Sequence, residues 1–228
     1  MSIDFSKYKD NYRGEVQSSI DFIKQDAVFF TKVKARYLMG LASRYLGNSV
    51  DLDVLDVGCG IGETDRFLIP YFKSLHGVDI AEGAIETAKK NNPDGLYKSY
   101  DGNNLPFSDS TFDLVFAICV MHYVPPVAWD NFVAEMRRVT KRDGLVIVFE
   151  HNPLNPLTRL AVNRCEFDAD ATLLMRGKAR DLFRRNQVRL VEQRYILFFP
   201  WEQHVFSSIE RCLTWLPLGA QYYVAGRK

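Results

Sequence analysis

Apolar positions recur along this chain in two rhythms. Between Ser18 and Leu46 the residues Ile20, Ile23, Phe30, Val33, Tyr37, Leu38 and Leu41 fall mostly three and four apart. That spacing predicts one or two helices with an apolar stripe, closed by Gly47 and Asn48. Short apolar runs near 52–57, 74–79, 96–100, 112–118 and 144–150 then read as buried strands. Helical segments separate them. Glu63 to Ile69 is expected to be helical and stopped by Pro70, and Trp129, Phe132, Val133, Met136 and Val139 form one apolar helix face. After Glu150 the pattern predicts a helical piece reaching about Asp170, a helix over Met175 to Asn186, and strands near 189–198 and 221–225. A helix carrying Val205, Ile209, Cys212, Leu213 and Leu216 lies between these last strands. Strands alternating with helices imply right-handed crossovers, hence an α/β, Rossmann-like, doubly wound and mostly parallel sheet. Ligands bind such sheets at the carboxyl ends of the strands.

Composition narrows this picture only modestly. The chain has 228 residues, enough for one sizeable core, and is read as a single domain with attachments. With 29 basic and 28 acidic residues the formal charge is +1, without the broad positive field that nucleic-acid binding usually needs. No signal peptide and no apolar run near the roughly 20 residues of a membrane span is visible, which predicts a soluble, cytoplasmic protein without a transmembrane segment. Cys59, Cys119, Cys165 and Cys212 are widely spaced, so neither a metal site nor a disulfide framework is expected. Cys59 reads as a small residue beside a ligand and Cys119 as a thiol at a strand end, with a catalytic thiolate the lesser reading.

The chemistry concentrates at Val54-Leu55-Asp56-Val57-Gly58-Cys59-Gly60-Ile61-Gly62, a strand that runs into three closely spaced glycines. Such a turn supplies positive φ and lets backbone approach a ligand, and free N–H groups beyond it can face that ligand. A second strand ends at Asp79, near the spacing at which a carboxylate meets ribose hydroxyls. A third block runs Asp101-Gly102-Asn103-Asn104-Leu105-Pro106-Phe107 and on to Phe112-Asp113-Leu114-Val115. The order of these blocks resembles the class I S-adenosylmethionine-dependent methyltransferases, specifically the small-molecule branch of ubiquinone/menaquinone (type 11) enzymes. A dinucleotide enzyme would use Gly-x-Gly-x-x-Gly, whereas this chain has Gly-x-Gly-x-Gly.

The resemblance covers roughly Leu52 to Glu150 and implies S-adenosylmethionine as cofactor. It implies a seven-stranded sheet whose last strand is antiparallel, under an N-terminal helical lid over 1–48. Residues 49–150 would bind cofactor, 151–187 would be an insertion over the substrate site, and 188–228 would close the sheet. Asp56, Gly58, Cys59, Gly60 and Gly62 would cradle the methionine part, and Asp79 would hold the ribose. Ile80 would pack on adenine, Asp101 and Gly102 would meet its amino group, and Ile118 would lie beneath. Tyr8 and Tyr12 are expected to touch substrate and cofactor respectively, whereas Phe29 is expected to bury in the core.

Three places are candidates for acceptor recognition or proton transfer. His122 follows the fourth strand, where an imidazole could act as base because its reference pKa is roughly 6.5. Glu150, His151 and Asn152 end the fifth strand on the ligand face. Arg159, with Arg164, belongs to the insertion and could bind an anionic group bidentately; the other insertion cations read as a solvated helix face. No metal is expected. The wording Glu150-His151-Asn152-Pro153-Leu154-Asn155-Pro156 resembles bacterial methyltransferases of sugar and polysaccharide pathways, and the aromatic tail admits a lipid-linked acceptor. The expected activity is methyl transfer to a small molecule, most simply at oxygen. The alternatives are a non-catalytic cofactor-binding partner protein and a nucleic-acid methyltransferase.

Overall fold

Each inner strand of the fold is apolar on both sides, and the two sides feed different cores. Asp53–Val57 (β1), Phe112–Ile118 (β4) and Thr140–His151 (β5) are the central strands of a sheet that also contains Ser74–Asp79 (β2), Leu96–Ser99 (β3), Arg189–Ile196 (β6) and Gln221–Arg227 (β7). Leu55, Val57, Val115, Ala117, Val146 and Val148 pack to one face, and Val54, Leu114, Phe116, Leu145, Ile147 and Phe149 to the other. The two-residue period of a strand delivers alternate side chains to opposite layers. A computed structural model describes residues 12–20, 26–165, 168, 170–200, 210 and 212–228.

The strand order is β3-β2-β1-β4-β5-β7-β6. Strands β1 to β5 pair in parallel, and β7 runs antiparallel to both β5 and β6. The order reverses between β1 and β4, and a crevice opens at their carboxyl ends, as expected of a doubly wound sheet.

Helices cover both faces. Ala27–Leu46 (α2) packs Phe29, Val33, Leu38 and Leu41 onto one layer, after the short helix Tyr12–Ile20 (α1). Asp26 caps α2, its carboxylate accepting from the Val28 N–H at 2.8 Å. On the other face lie Trp129–Val139 (α4) and Arg176–Arg185 (α6), while Glu82–Asn91 (α3) flanks β2 and β3. The insertion after β5 holds Pro156–Arg164 (α5), which ends six residues before Asp170. Asn155 caps it by accepting from the Leu157 and Thr158 N–H groups, and Pro156 at its start needs no amide partner.

Two expectations fail locally. Glu63 to Ile69 is not an α-helix: the turn runs into 3-10 segments at Asp65–Phe67 and Ile69–Tyr71. Gly62 sits at φ 74°, and Pro70 removes a donor and disfavours helical geometry at Ile69, leaving too short a run to nucleate. Strand β5 begins earlier than its apolar run, because Thr140 already pairs with Phe112 before the register shifts to Leu114 and Leu145. Asp143 takes a positive φ in that irregularity, which polarity alone does not reveal. The expected helix around Val205 and Ile209 falls largely outside the described residues.

Candidate functional site

The glycine turn is a backbone cradle pinned from below. After β1, the Gly58 and Cys59 N–H groups both donate to the Val78 carbonyl, at 2.7 and 3.0 Å. Gly58 and Gly62 are glycine for opposite neighbours: a Cβ would lie 2.5 Å from Val120 at the first and 2.3 Å from the Asn92 amide at the second. Gly60 differs, because nothing lies within 4 Å of where its Cβ would be. Its φ of 53° places bare backbone against open crevice.

Asp79 ends β2 facing this turn. One carboxylate oxygen accepts from the Gly60 N–H and the other from the Ala81 N–H, both at 2.9 Å. Burial raises its pKa against the pull of these amides. Ile80 stands half exposed beside it, and a Cβ on Gly102, at φ 81°, would come within 3.2 Å of the Ile80 side chain. Asp101 is exposed and accepts from the Asn103 and Asn104 N–H groups, each at 2.8 Å, which holds its carboxyl below the usual range. Asp56, Gly58, Cys59, Gly60, Asp79, Ile80, Asp101, Gly102 and Ile118 all border one cavity of about 1480 Å³. Gly62 sits behind it, packed against α3.

A second carboxyl lies beneath the turn. Asp65 is fully buried and accepts from the Tyr97 hydroxyl at 2.9 Å; its other oxygen, and one oxygen of buried Asp56, have no hydrogen-bond partner among the described residues. Burial pushes both acids upward; the Asp65 charge adds to the rise at Asp56, whereas Asp56 and the Tyr97 hydroxyl hold Asp65 back, as for two carboxyls sharing one proton.

The far end of the same cavity is polar. His122, in the 3-10 turn Met121–Tyr123 after β4, is 2% exposed, and its Nδ1 lies 2.7 Å from Glu150 Oε2. The other Glu150 oxygen accepts from the Met121 N–H at 2.7 Å. The His122 Nε2 is 3.7 Å from Asp168, within ion-pair range but beyond a hydrogen bond, and has no hydrogen-bond partner. Burial by itself would depress this imidazole, but the Glu150 charge, joined by Asp168, outweighs it and lifts the pKa to about 10. His122 is therefore a cation at neutral pH, opposite to the free base expected from its sequence position. Burial opposes ionisation of Glu150 and Asp168 as well, yet the His122 charge holds both below the usual carboxylate range.

His151, at the end of β5, stacks at 5.1 Å from His122 and is driven down to about 4 by burial and by that cation. It is neutral, and its Nδ1 lies 3.4 Å from the Gln221 amide nitrogen. Gln221 also donates to the Cys119 sulfur at 3.5 Å and leaves its amide oxygen unpartnered. Tyr123 donates to Asp168 at 2.5 Å. His122, His151, Asp168, Cys119 and Gln221 all border the cavity.

Two sequence candidates are not brought to the cavity. Asn152 is buried and spends its side chain on backbone, donating to the Pro217 and Gly219 carbonyls and accepting from the Leu154 N–H. Arg159 is exposed on α5, and neither residue borders the cavity. Glu150 sits behind His122 and does not reach the cavity. Phe29 is core, as expected, and Phe30 lines the cavity. Tyr8 lies outside the described residues, and Tyr12 starts α1 with its side chain outside that description.

Three residues that sequence reasoning passed over are in place: Lys34, Asp168 and Gln221. Each has a bland local setting. Lys34 belongs to an alternating basic run, Thr31-Lys32-Val33-Lys34-Ala35-Arg36, and only its alignment with Ala27, Phe30 and Thr31 on one side of α2 marks it as facing the cavity.

The residues at the turn fit an adenosyl cofactor: an open backbone cradle at Gly60, a half-buried carboxylate at Asp79 and an apolar shelf at Ile80. Comparison with known proteins agrees. A methyltransferase-domain family model matches residues 55–148. The 2-methyl-6-phytyl-1,4-hydroquinone methyltransferase of Synechocystis is 27% identical over 190 residues, covering 75% of this chain and 58% of that protein. A sterol 4-C-methyltransferase of Caenorhabditis elegans is 32% identical over 108 residues, covering 45% of this chain and 32% of its own. The chain thus spans about half the length, or less, of curated relatives that it matches. A Thermotoga maritima S-adenosylmethionine-dependent methyltransferase of known structure superposes with a TM-score of 0.68 at 19% identity, over 100% of both chains. Residues 55–148 thus match a methyltransferase domain, and the chain as a whole has the fold of class I S-adenosylmethionine-dependent methyltransferases.

Proposed function

We propose that this chain transfers a methyl group to a hydroxyl oxygen of a small-molecule acceptor with an apolar body, such as a saccharide-bearing or lipid-linked intermediate. The observation that carries this reading is the continuity of one cavity from the glycine turn to the polar cluster at the ends of β4 and β5. Asp56, Gly58, Cys59 and Gly60 would hold the methionine part, Asp79 the ribose, and Ile80, Asp101 and Gly102 the adenine. Bound there, S-adenosylmethionine supplies an electrophilic methyl on a sulfonium, and the C–S electron pair stays with sulfur as an acceptor lone pair displaces it.

The chain's own work is then placement and proton handling. The His122 Nε2–H is an unpaired donor and the Gln221 amide oxygen an unpaired acceptor, together complementary to a hydroxyl. His122 is cationic, so it orients the acceptor oxygen and does not take its proton. That proton goes to Asp168 or to neutral His151, both of which border this end of the cavity. Glu150 is a positioning residue that fixes the His122 ring. Phe30, Leu157, Val162 and Phe198 supply apolar wall for the acceptor body and displace water. The phytyl-hydroquinone and sterol substrates named for two relatives are compatible with such a wall.

Incubation with methyl-tritiated S-adenosylmethionine and a broad small-molecule extract tests the activity. The expected result is label in a neutral O-methyl product, diminished in His122→Gln while cofactor binding persists. Retained cofactor binding with no product would instead support the non-catalytic partner-protein reading, and label in nucleic acid would support the other alternative.

A further inference from the structure

Charge is distributed unevenly around the cavity. Among the described residues that border it, Lys34 is the one lysine or arginine. It forms no ion pair with any described carboxylate, although its charge reaches Asp56, Cys119 and His151 at the ends of β1, β4 and β5. The described carboxylates bordering the same space number seven. Two are tied to local tasks, Asp26 capping α2 and Glu63 pairing with Arg66 at 3.3 Å. Asp79 and Asp101 stand at the adenosine end, and Asp56 beneath the turn. Asp168 and Asp170 stand at the acceptor end, where the single cation is His122, already engaged by Glu150.

A cofactor with an amino-acid tail carries a carboxylate into this acidic space, and burying that anion without a partner is costly. Lys34 is placed to meet it, directly above the strand ends where the methionine part is read to lie. We infer that Lys34 is the counter-ion of the cofactor carboxylate and that, with this cation engaged, the cavity admits only uncharged or cationic acceptors. The insertion cations do not alter the balance. Arg159 and Arg164 do not border the cavity, Arg176 covers the Tyr195 ring at 4.0 Å, Arg180 pairs with Asp181 and Arg185 with Asp130. A phosphate or carboxylate acceptor would face Asp168 and Asp170 with no lysine or arginine other than Lys34 bordering the cavity among the described residues. This inference rests on the cofactor reading above and adds to it the charge class of the acceptor.

Calorimetry with the full chain and two ligands tests the first half. S-adenosylmethionine and its decarboxylated analogue share the sulfonium and the amino group, and only the former has the carboxylate. In Lys34→Met, affinity for S-adenosylmethionine is expected to fall about 10- to 100-fold, the range of a lost charged hydrogen bond. Affinity for the decarboxylated analogue is expected to stay within about twofold of wild type. Lys32→Met, on the exposed side of α2, is the control and leaves both unchanged. Equal loss of both ligands, or no loss of S-adenosylmethionine, overturns the assignment. A wild-type chain that binds neither ligand overturns the cofactor reading itself, a distinguishable failure. For the second half, tritium-labelled products formed from the extract are sorted by charge at pH 7. Label in neutral or cation-exchanged fractions supports the charge class, and label in products retained by an anion exchanger refutes it.

Discussion

At the scale of a residue, Asp79 does two jobs that a single substitution separates. Its two oxygens hold the Gly60 and Ala81 amides, so the carboxylate shapes the turn even before it meets a ribose. In the proposed cofactor pose Asp79→Ala removes a charged acceptor of two ribose hydroxyls, each worth about 1.5–3 kcal/mol, so cofactor affinity is expected to fall at least about 100-fold. Asp79→Asn keeps one acceptor oxygen and is expected to fall between the two. Calorimetry measures both, and wild-type affinity in the alanine variant would remove Asp79 from the site. The place of Asp79 against the turn was readable from sequence, because a strand end at a fixed distance after a glycine turn specifies that position. Lys34, Asp168 and Gln221 were not, because they reach the cavity only through helix phase, an insertion and an antiparallel strand. Their neighbours in sequence carry no trace of the cavity. Asn152 and Arg159 erred in the opposite direction, being polar residues near the right strand end whose side chains are engaged by backbone or turned to solvent.

At the scale of an element, the short turn after β4 is tied to β5 by one buried ion pair. Glu150 receives both the Met121 N–H and the His122 ring, each at 2.7 Å, so it fixes the turn and its imidazole together. Glu150→Gln leaves a buried imidazolium facing a neutral amide and is expected to destabilise the chain by about 3 kcal/mol. Adding His122→Gln should recover part of that loss, because the stranded charge disappears with it. Urea denaturation of wild type, both single variants and the double variant closes the cycle, and strict additivity would show that the two residues are uncoupled. The strands themselves were legible throughout, since inner parallel strands announce themselves by continuous apolar runs. The segment after Gly62 was misread because an apolar stretch ending at a proline resembles a helix. Its outcome was decided instead by Gly62, Pro70 and the burial of Asp65 beneath the turn, the last of these a tertiary fact. The N-terminal stripe was read as one helix or two, and the Asp26 cap decides for two.

Across the whole molecule, the polar end of the cavity sets how stability follows pH. His122 has a folded pKa of about 10 against roughly 6.5 when unfolded. A raised base contributes stability that is fully present below pH 6.5 and is lost as pH climbs through 10. His151, lowered to about 4, works in the other direction: its share is complete above pH 6.5 and erodes as pH falls toward 4. Glu150 and Asp168, both lowered, add stability above their unfolded values that disappears on stronger acidification. Asp56 and Asp65, both raised, favour the fold at low pH and oppose it at neutral pH, softening the acid limb. Between pH 6.5 and 10 Glu150 and Asp168, both lowered, are already ionised, and His122 is their buried partner that still titrates. Wild-type stability is therefore expected to fall steadily from pH 7 to 9.5. His122→Gln, which carries no proton to lose, should be less stable than wild type at pH 7 and nearly level over the same interval. Urea midpoints at pH 7, 8, 9 and 9.5 measure both curves. Parallel curves would place the alkaline loss elsewhere and show that the His122 cation is not held by Glu150 and Asp168 in solution.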